Sequence, residues 1–232
     1  MKSGTGKEFN PSYVGLRSDV LRLVPRSAVN ILDVGCGAGT LGGQIKSVNG
    51  KANVVGIEKD KDMAAEAEKK LDSVVRGDLD SAKLRDLLKG ETFDCIIFAD
   101  VLEHLRDPWD VLRESIRLLR DDGVVIASIP NIRHYTTILN LIFLGRWPHR
   151  ERGLHDRTHL RFFTFSGIRK MFADSGLKIV KTRRNLRLLE SPHPVNRLAW
   201  IFGIPILRDF FTFQYIVVAK KTPGGGHEKT SG

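Results

Sequence analysis

The sequence predicts an α/β fold, a parallel sheet covered by helices on both faces. Three observations predict it. Short apolar runs alternate with helical segments five times between residues 29 and 129, the rhythm of strand–helix–strand units. The runs are continuously apolar, as strands buried on both faces are. The first run ends in a glycine-rich turn, Gly35-Cys36-Gly37-Ala38-Gly39, that opens a helix, a strand–turn–helix arrangement of ligand-binding α/β proteins.

Each element follows in chain order. Residues 1–10 lack an apolar pattern and read as a flexible lead. Residues 12–25 have helical spacing, with Val14, Leu16, Val20, Leu21 and Val24 near one side. Residues 29–34 form the first strand, because the run is too short for a stable helix, and residues 40–48 form the next helix. Residues 53–58 (NVVGIE) are the second strand, 60–71 a polar helix, 73–76 the third strand and 84–88 a short helix. Residues 93–99 (FDCIIFA) are the fourth strand. Residues 101–119 are helical with a break at Asp107-Pro108, where Asp107 caps a helix starting at Pro108. Residues 123–129 are the fifth strand, and the crossovers are right-handed.

After Pro130 the rhythm changes. Residues 131–163 show no clear strand, although 135–144 (YTTILNLIFL) read as an apolar helix. Thr164 caps a helix that runs to Ser175, and Gly176 stops it. Residues 177–183 and 213–221 are rich in strand formers, separated by an apolar insertion containing proline. Residues 222–232 offer nothing to a core and read as a disordered tail. Residues 11–221 therefore read as one domain, interrupted by insertions at 131–163 and 186–212.

Bulk composition agrees. The chain has 232 residues, 41% hydrophobic and 28% charged, which suits a soluble protein with one sizeable core. The first ten residues lack the apolar stretch of a secretion signal. Residues 198–219 are broken by Pro205, Arg208 and Asp209 and make a poor membrane span. Cys36 and Cys95 lack CxxC spacing and read as reduced thiols of a cytoplasmic protein. The net charge is +10, and residues 131–214 account for it, with 15 Lys+Arg against 5 Asp+Glu. Such segregation suggests an anionic partner for that segment, or else a solvated basic face.

The glycine turn allows a ligand to approach the backbone closely. It lacks the Gly-Lys-Ser/Thr ending of a phosphate-cradling loop. Three acidic residues end successive strands. Glu58, 19 residues after Gly39, stands where a carboxylate accepts both hydroxyls of an adenosine ribose. Asp78, in GDLD, can accept from the exocyclic amine of adenine. Asp33, before the glycines, can help hold a cationic amine and opposes a pyrophosphate, which favours open N–H groups. Each could separately be a strand-end cap; their joint placement favours a nucleoside ligand.

ILDVGCGAGTLG, VVGIEKD, VVRGDLD and FDCIIFADVLEHLRDP, in this order, resemble the class I S-adenosylmethionine-dependent methyltransferases. The resemblance covers about residues 28–185 and is densest over 29–130. GTLG, GIEKD, GDLD and LGRWP are similar to a bacterial group that includes methionine-biosynthesis-associated members. IPNIRHY and DRTHLRFFT resemble methyltransferases encoded among sugar and cell-surface polysaccharide genes. The resemblance implies a Rossmann-like sheet of seven strands, mostly parallel with the last antiparallel. It implies S-adenosyl-L-methionine as cofactor, with Asp33, Gly35, Cys36, Gly37 and Gly39 along its methionine side. Glu58 with Lys59 would hold the ribose, and Asp78 with Leu79 the adenine. Ala99 and Asp100 would approach the methionine portion.

The two insertions would then form a basic cap on the acceptor side. Methyl transfer is an in-line displacement governed by positioning and desolvation. A hydroxyl acceptor must lose its proton near attack, a task suited to histidine. The candidates are His104, His134 and His155, with His159 nearby; each has an alternative structural role. The His155-x3-His159 spacing fits one helical face as metal ligands, but the neighbouring arginines and the missing third ligand point to no metal. Arg133, Arg146, Arg150, Arg152, Arg157 and Arg161 favour an anionic small-molecule acceptor: a nucleotide-linked sugar, a lipid-linked saccharide or a carboxylated compound. No specific nucleic-acid partner is expected, since no appended RNA-binding module is recognisable. Residues 200–213 suit either peripheral contact with an anionic membrane or a buried lid or dimer contact; monomer and homodimer both stay open. Two other classes compete: a non-catalytic module of the same fold, and a nicotinamide-dependent oxidoreductase or epimerase. The latter is disfavoured by Asp33 and by the lack of a Tyr-x3-Lys pair.

Overall fold

Seven strands form one sheet in the computed structural model, which describes residues 16–191, 193–205 and 207–223. The strands are β1 (Asn30–Val34), β2 (Asn53–Glu58), β3 (Ser73–Arg76), β4 (Phe93–Ala99), β5 (Leu119–Pro130), β6 (Leu177–Leu186) and β7 (Thr212–Lys221). Their spatial order is β3-β2-β1-β4-β5-β7-β6. The first five pair in parallel. β7 inserts between β5 and β6, antiparallel to both. The anticipated mixed sheet with an antiparallel last strand is present.

Parallel strands buried on both faces explain the continuous apolar runs. Along β1, Leu32 and Val34 join one core while Ile31 joins the other; along β4, Ile96 and Phe98 face one and Cys95 and Ile97 the other. The first core is closed by Leu112 of α5 (Pro108–Leu118) and Phe172 of α7 (Phe165–Asp174); the second by Ile45 of α2 (Thr40–Val48) and Ala67 of α3 (Lys61–Ala67). Each fully buried Leu, Ile or Phe contributes about 1.5–3 kcal/mol by leaving water.

The predicted caps are realised. Asp107 accepts from Asp110 N at 3.0 Å, Thr164 accepts from Gly167 N at 3.2 Å, and Gly176 has φ +78° after α7. Several bounds differ from expectation. Within the described residues the helix anticipated over 12–25 is α1 (Ser18–Leu21), and residues 12–15 lie outside them. The helix at 60–71 ends at Ala67, with Asp60 as its cap. β5 begins at Leu119 rather than 123, because Leu119 pairs with Phe93 before a register shift. β6 and β7 are longer than predicted because they pair with each other up to Leu186 and Thr212. The flexible lead at 1–10 and the tail from 224 onward lie outside the described residues.

The apolar segment 135–144 is helical, but in two pieces: α6 (Tyr135–Ile138) and a π-helical turn (Leu139–Phe143). Leu141, Ile142, Phe143 and Leu144 are exposed there, as are Leu198, Trp200, Ile201 and Ile204 in the second insertion. Of the lid anticipated over 200–213, Phe213 is buried and Phe202 stacks on Phe211 at 4.1 Å. No helix of the described residues is long and apolar enough to cross a membrane.

β1 turns toward β2 on one side and neighbours β4 on the other, so the strand order reverses at the β1/β4 boundary. Open α/β sheets bind ligands outside the carboxyl ends of strands at such a point.

Candidate active site

A cavity of about 970 Å³ opens at that boundary. Asp33 of β1 and Gly35, Cys36 and Gly37 after it form one wall, with Thr40 and Leu41 from the start of α2; Ala99 ends β4, and Asp100, Glu103 and His104 follow it. The remaining wall comes from Arg17 of the N-terminal segment, from Gln214 of β7, and from the insertions, through Arg150, Asp156 and His159 and then Arg187 and Glu190.

The glycine turn is held by backbone bonds: Cys36 N donates to Ile57 O at 3.0 Å, and Gly39 N to Cys36 O at 2.9 Å. Gly39 needs its hydrogen side chain twice over. Its φ is +70°, and a Cβ would stand 2.9 Å from the Ala67 Cα. Glu58 braces the turn from β2, accepting from Gly37 N, Lys59 N and Asp60 N, each at 2.9 Å. Asp78 is exposed and accepts from Asp80 N at 3.0 Å. Lys59 is exposed and Leu79 half-buried beside the same strand ends. Glu58, Lys59, Asp78 and Leu79 follow β2 and β3 and are not in the cavity wall.

Asp33 is 2% exposed, and its Oδ2 has no hydrogen-bond partner. Burial pushes its carboxyl up to about 7; the Arg17 guanidinium pulls the other way, and Glu58 adds to the rise. Thr40 Oγ1 and Glu103 Oε2 are likewise buried and unpartnered. All three residues line the same cavity. Buried polar atoms are rarely left unpaired, so a polar ligand fits this wall.

Asp100 has φ +59° and anchors a network. It accepts from Ser128 Oγ at 2.8 Å, from Gln214 Nε2 and from Arg17 Nη1, while Arg17 Nη2 donates to Ser128 Oγ at 2.7 Å. Arg17 thus ties the N-terminal segment across the cavity mouth. Burial, then Asp100, pushes the Glu103 carboxyl well above the carboxylate range.

The histidines separate into two groups. His104 and His159 lie on the cavity wall with ring centroids 4.7 Å apart. His104 Nδ1 bonds Thr158 Oγ1 at 3.0 Å, and Thr158 Oγ1 donates to Asp156 Oδ1 at 2.6 Å. Burial holds both imidazoles below their ordinary pKa. His134 and His155, expected to face the acceptor, are not in the wall, and both are fully buried. His134 is spent on structure, with Nε2 3.0 Å from Arg187 O and Nδ1 2.9 Å from Thr136 Oγ1. His155 packs edge-on against Trp147, with Nδ1 3.6 Å from Glu190 Oε1.

The sequence reading missed Arg17, Glu103 and Gln214. Arg17 was hidden in a segment read only for its apolar face. Glu103 follows β4 in the stretch Val101-Leu102-Glu103-His104-Leu105, where a carboxylate between apolar residues at a strand end is the usable signal. Nothing local marks Gln214, which reaches Asp100 across 114 positions.

A family model described as a methyltransferase domain matches residues 11–182. The mitochondrial ubiquinone biosynthesis O-methyltransferase of Candida albicans is 31% identical over 123 residues, covering 51% of this chain and 37% of that protein. The ubiquinone biosynthesis O-methyltransferase of Neisseria meningitidis serogroup A is 27% identical over 159 residues, covering 66% and 65%. The chain therefore spans less than two thirds of the length of these curated relatives. Among solved structures, an S-adenosylmethionine-dependent methyltransferase from Archaeoglobus fulgidus superposes with TM-score 0.62 at 20% identity, over 91% of this chain and 97% of the other. The magnesium protoporphyrin IX methyltransferase of Synechocystis, solved with S-adenosylhomocysteine, gives 0.59 at 19% identity, over 88% and 81%.

Proposed function

The chain belongs to the methyltransferase-domain family, whose cofactor is S-adenosyl-L-methionine, and from that premise we propose that it methylates a hydroxyl of an anionic small molecule. One observation carries the reading: the glycine turn and the histidine-bearing wall share a single cavity. Asp33 and the turn take the amino-acid end of the cofactor, and the cationic amine meets the unpartnered Oδ2. Glu58 keeps lone pairs for the ribose hydroxyls, and Asp78 for adenine. The sulfonium methyl then points along the cavity toward Glu103, His104 and His159, where the acceptor hydroxyl docks and loses its proton. Burial of these groups excludes water from the displacement.

Residues 131–163 and 186–212 form the acceptor-side cover. Arg150 and Arg187 line it, and each keeps spare N–H donors beyond its bonds to Glu190 at 3.2 and 3.0 Å. These supply recognition of a carboxylate or phosphate. The O-methyltransferase relatives support oxygen as the methylated atom. The exposed apolar residues 141–144, with Trp200, Ile201 and Ile204, suit the tail of a lipid-linked acceptor. The test measures S-adenosylhomocysteine release with hydroxylated acceptors in matched pairs, anionic and neutral. Turnover of the anionic member is expected. Equal turnover of neutral members removes the role of the arginines, and failure to bind S-adenosylmethionine overturns the whole reading.

A further inference from the structure

We propose that Glu103, His104 and His159 hold a divalent first-row transition-metal ion on the acceptor wall of the cavity. The inference rests on the methyltransferase reading only for what the ion does, not for where it binds. Among the described residues these three offer ligand atoms that all lie within 4.8 Å of one another. Ligands at about 2.0–2.1 Å from a shared ion sit about 3.4 Å apart in tetrahedral geometry. Closure by up to about 1.4 Å, a side-chain adjustment, completes the set.

Independent observations point at a cation. Glu103 is 1% exposed with Oε2 unpartnered, a costly state for a carboxyl that an ion would relieve. His104 is preset as a ligand. Thr158 Oγ1 donates its proton to Asp156, so it can only accept from His104 Nδ1–H; the lone pair is left on Nε2. A metal-bound imidazole has this kind of outer support. Two imidazoles and one carboxylate suit zinc, iron(II), manganese(II) or cobalt(II) rather than magnesium or calcium.

The arginines of the same segment do not oppose the ion as their number suggests. Arg157 pairs with Glu151 at 2.8 Å and Arg150 with Glu190 at 3.2 Å, each an ion pair that offsets the guanidinium charge. The pairing by spacing, His155 with His159, is replaced by a pairing in space, His104 with His159. Three protein ligands leave coordination positions open toward the cavity, where an acceptor hydroxyl can bind and be acidified. No bond to carbon changes in this step: the hydroxyl proton leaves to solvent or a nearby base. The alkoxide or phenolate then attacks the methyl carbon, forming the O–C bond as the S–C bond breaks and S-adenosylhomocysteine leaves.

The test titrates metal-stripped full chain with CoCl2, following the visible d–d absorption. About one cobalt per chain is expected, with histidine scattering at the cobalt X-ray absorption edge of the wild type. Glu103→Gln and His159→Ala should each weaken cobalt at least about tenfold, and Thr158→Val about tenfold through His104. His149→Ala, at an exposed histidine outside the cluster, should change nothing. Binding of S-adenosylhomocysteine shows that a variant is folded. Absent histidine scattering, or cobalt affinity undiminished in folded Glu103→Gln and His159→Ala, overturns the site. Metal-free methyl transfer at full rate overturns its role while leaving the methyltransferase reading intact.

Discussion

Asp33→Asn should move stability and cofactor affinity in opposite directions. The Asp33 carboxyl is fully enclosed, and burial pushes its pKa from 3.8 up to about 7. The folded chain thus holds this proton more tightly than the unfolded chain. The stabilisation is fully present below the unfolded pKa and is lost as pH rises through about 7. A rise of about three units corresponds to about 4 kcal/mol. Asparagine cannot ionise, so between about pH 4 and pH 8 the variant should gain about 4 kcal/mol relative to wild type without cofactor. The cofactor ammonium, however, loses a charge-assisted partner worth about 1.5–3 kcal/mol, a ten- to hundred-fold weakening. Urea unfolding across that pH range reads the first effect, and calorimetric titration with S-adenosylhomocysteine at pH ~8 reads the second. Parallel pH profiles for the two proteins would refute the burial argument. Unchanged affinity would remove Asp33 from the cofactor site.

Glu58→Ala strips the acceptor from three backbone N–H groups and should weaken S-adenosylhomocysteine binding by about 2–3 kcal/mol, read by the same titration. Gly39→Ala forces a left-handed backbone and a 2.9 Å contact with Ala67; thermal unfolding should show a loss of about 2–4 kcal/mol. Arg17→Ala breaks the tie to Asp100 and Ser128 and should speed cofactor release, at a cost of about 1–2 kcal/mol in affinity, measured by stopped-flow displacement. His134→Gln should cost about 1–3 kcal/mol of stability while sparing kcat, because its bonds go to Arg187 and Thr136 rather than to the cavity; a collapse of kcat in a stable variant would restore it as a catalytic group.

The parallel half of the sheet was legible because its information is local. Continuous runs such as 93–99 need only burial on both faces, and the glycine turn carries its own backbone requirement. Asp33, Gly35, Gly37, Ala99 and Asp100 could be placed because each ends a strand or follows one, and strand ends converge at the order reversal. The acceptor wall was less legible because residues distant in sequence build it. His104 meets His159 across 55 positions, through contacts of the insertion that no periodicity reports. His134 looked suitable because it directly follows β5 at the mouth of the sheet. Its ring instead turns into the protein, where its Nε2 meets the Arg187 carbonyl at 3.0 Å.

Charge was the most ambiguous signal, and the reason is physical. An excess of arginines in residues 131–214 reports only what the segment contains, whereas a site responds to what remains after internal pairing. Arg157 is paired with Glu151 and Arg184 with Asp209 at 3.4 Å. Arg150 and Arg187 reach the cavity while bonded to Glu190. Arg150 stands beside Asp156, bridged to it through the backbone, and Arg187 lies within the field of Asp100, so both signs share one cavity wall. A basic segment can in this way carry an acidic, imidazole-rich floor. In the reaction we propose, the two signs divide the work: arginines orient the anionic part of the acceptor, and the acidic floor receives a cation or a proton at the hydroxyl that reacts.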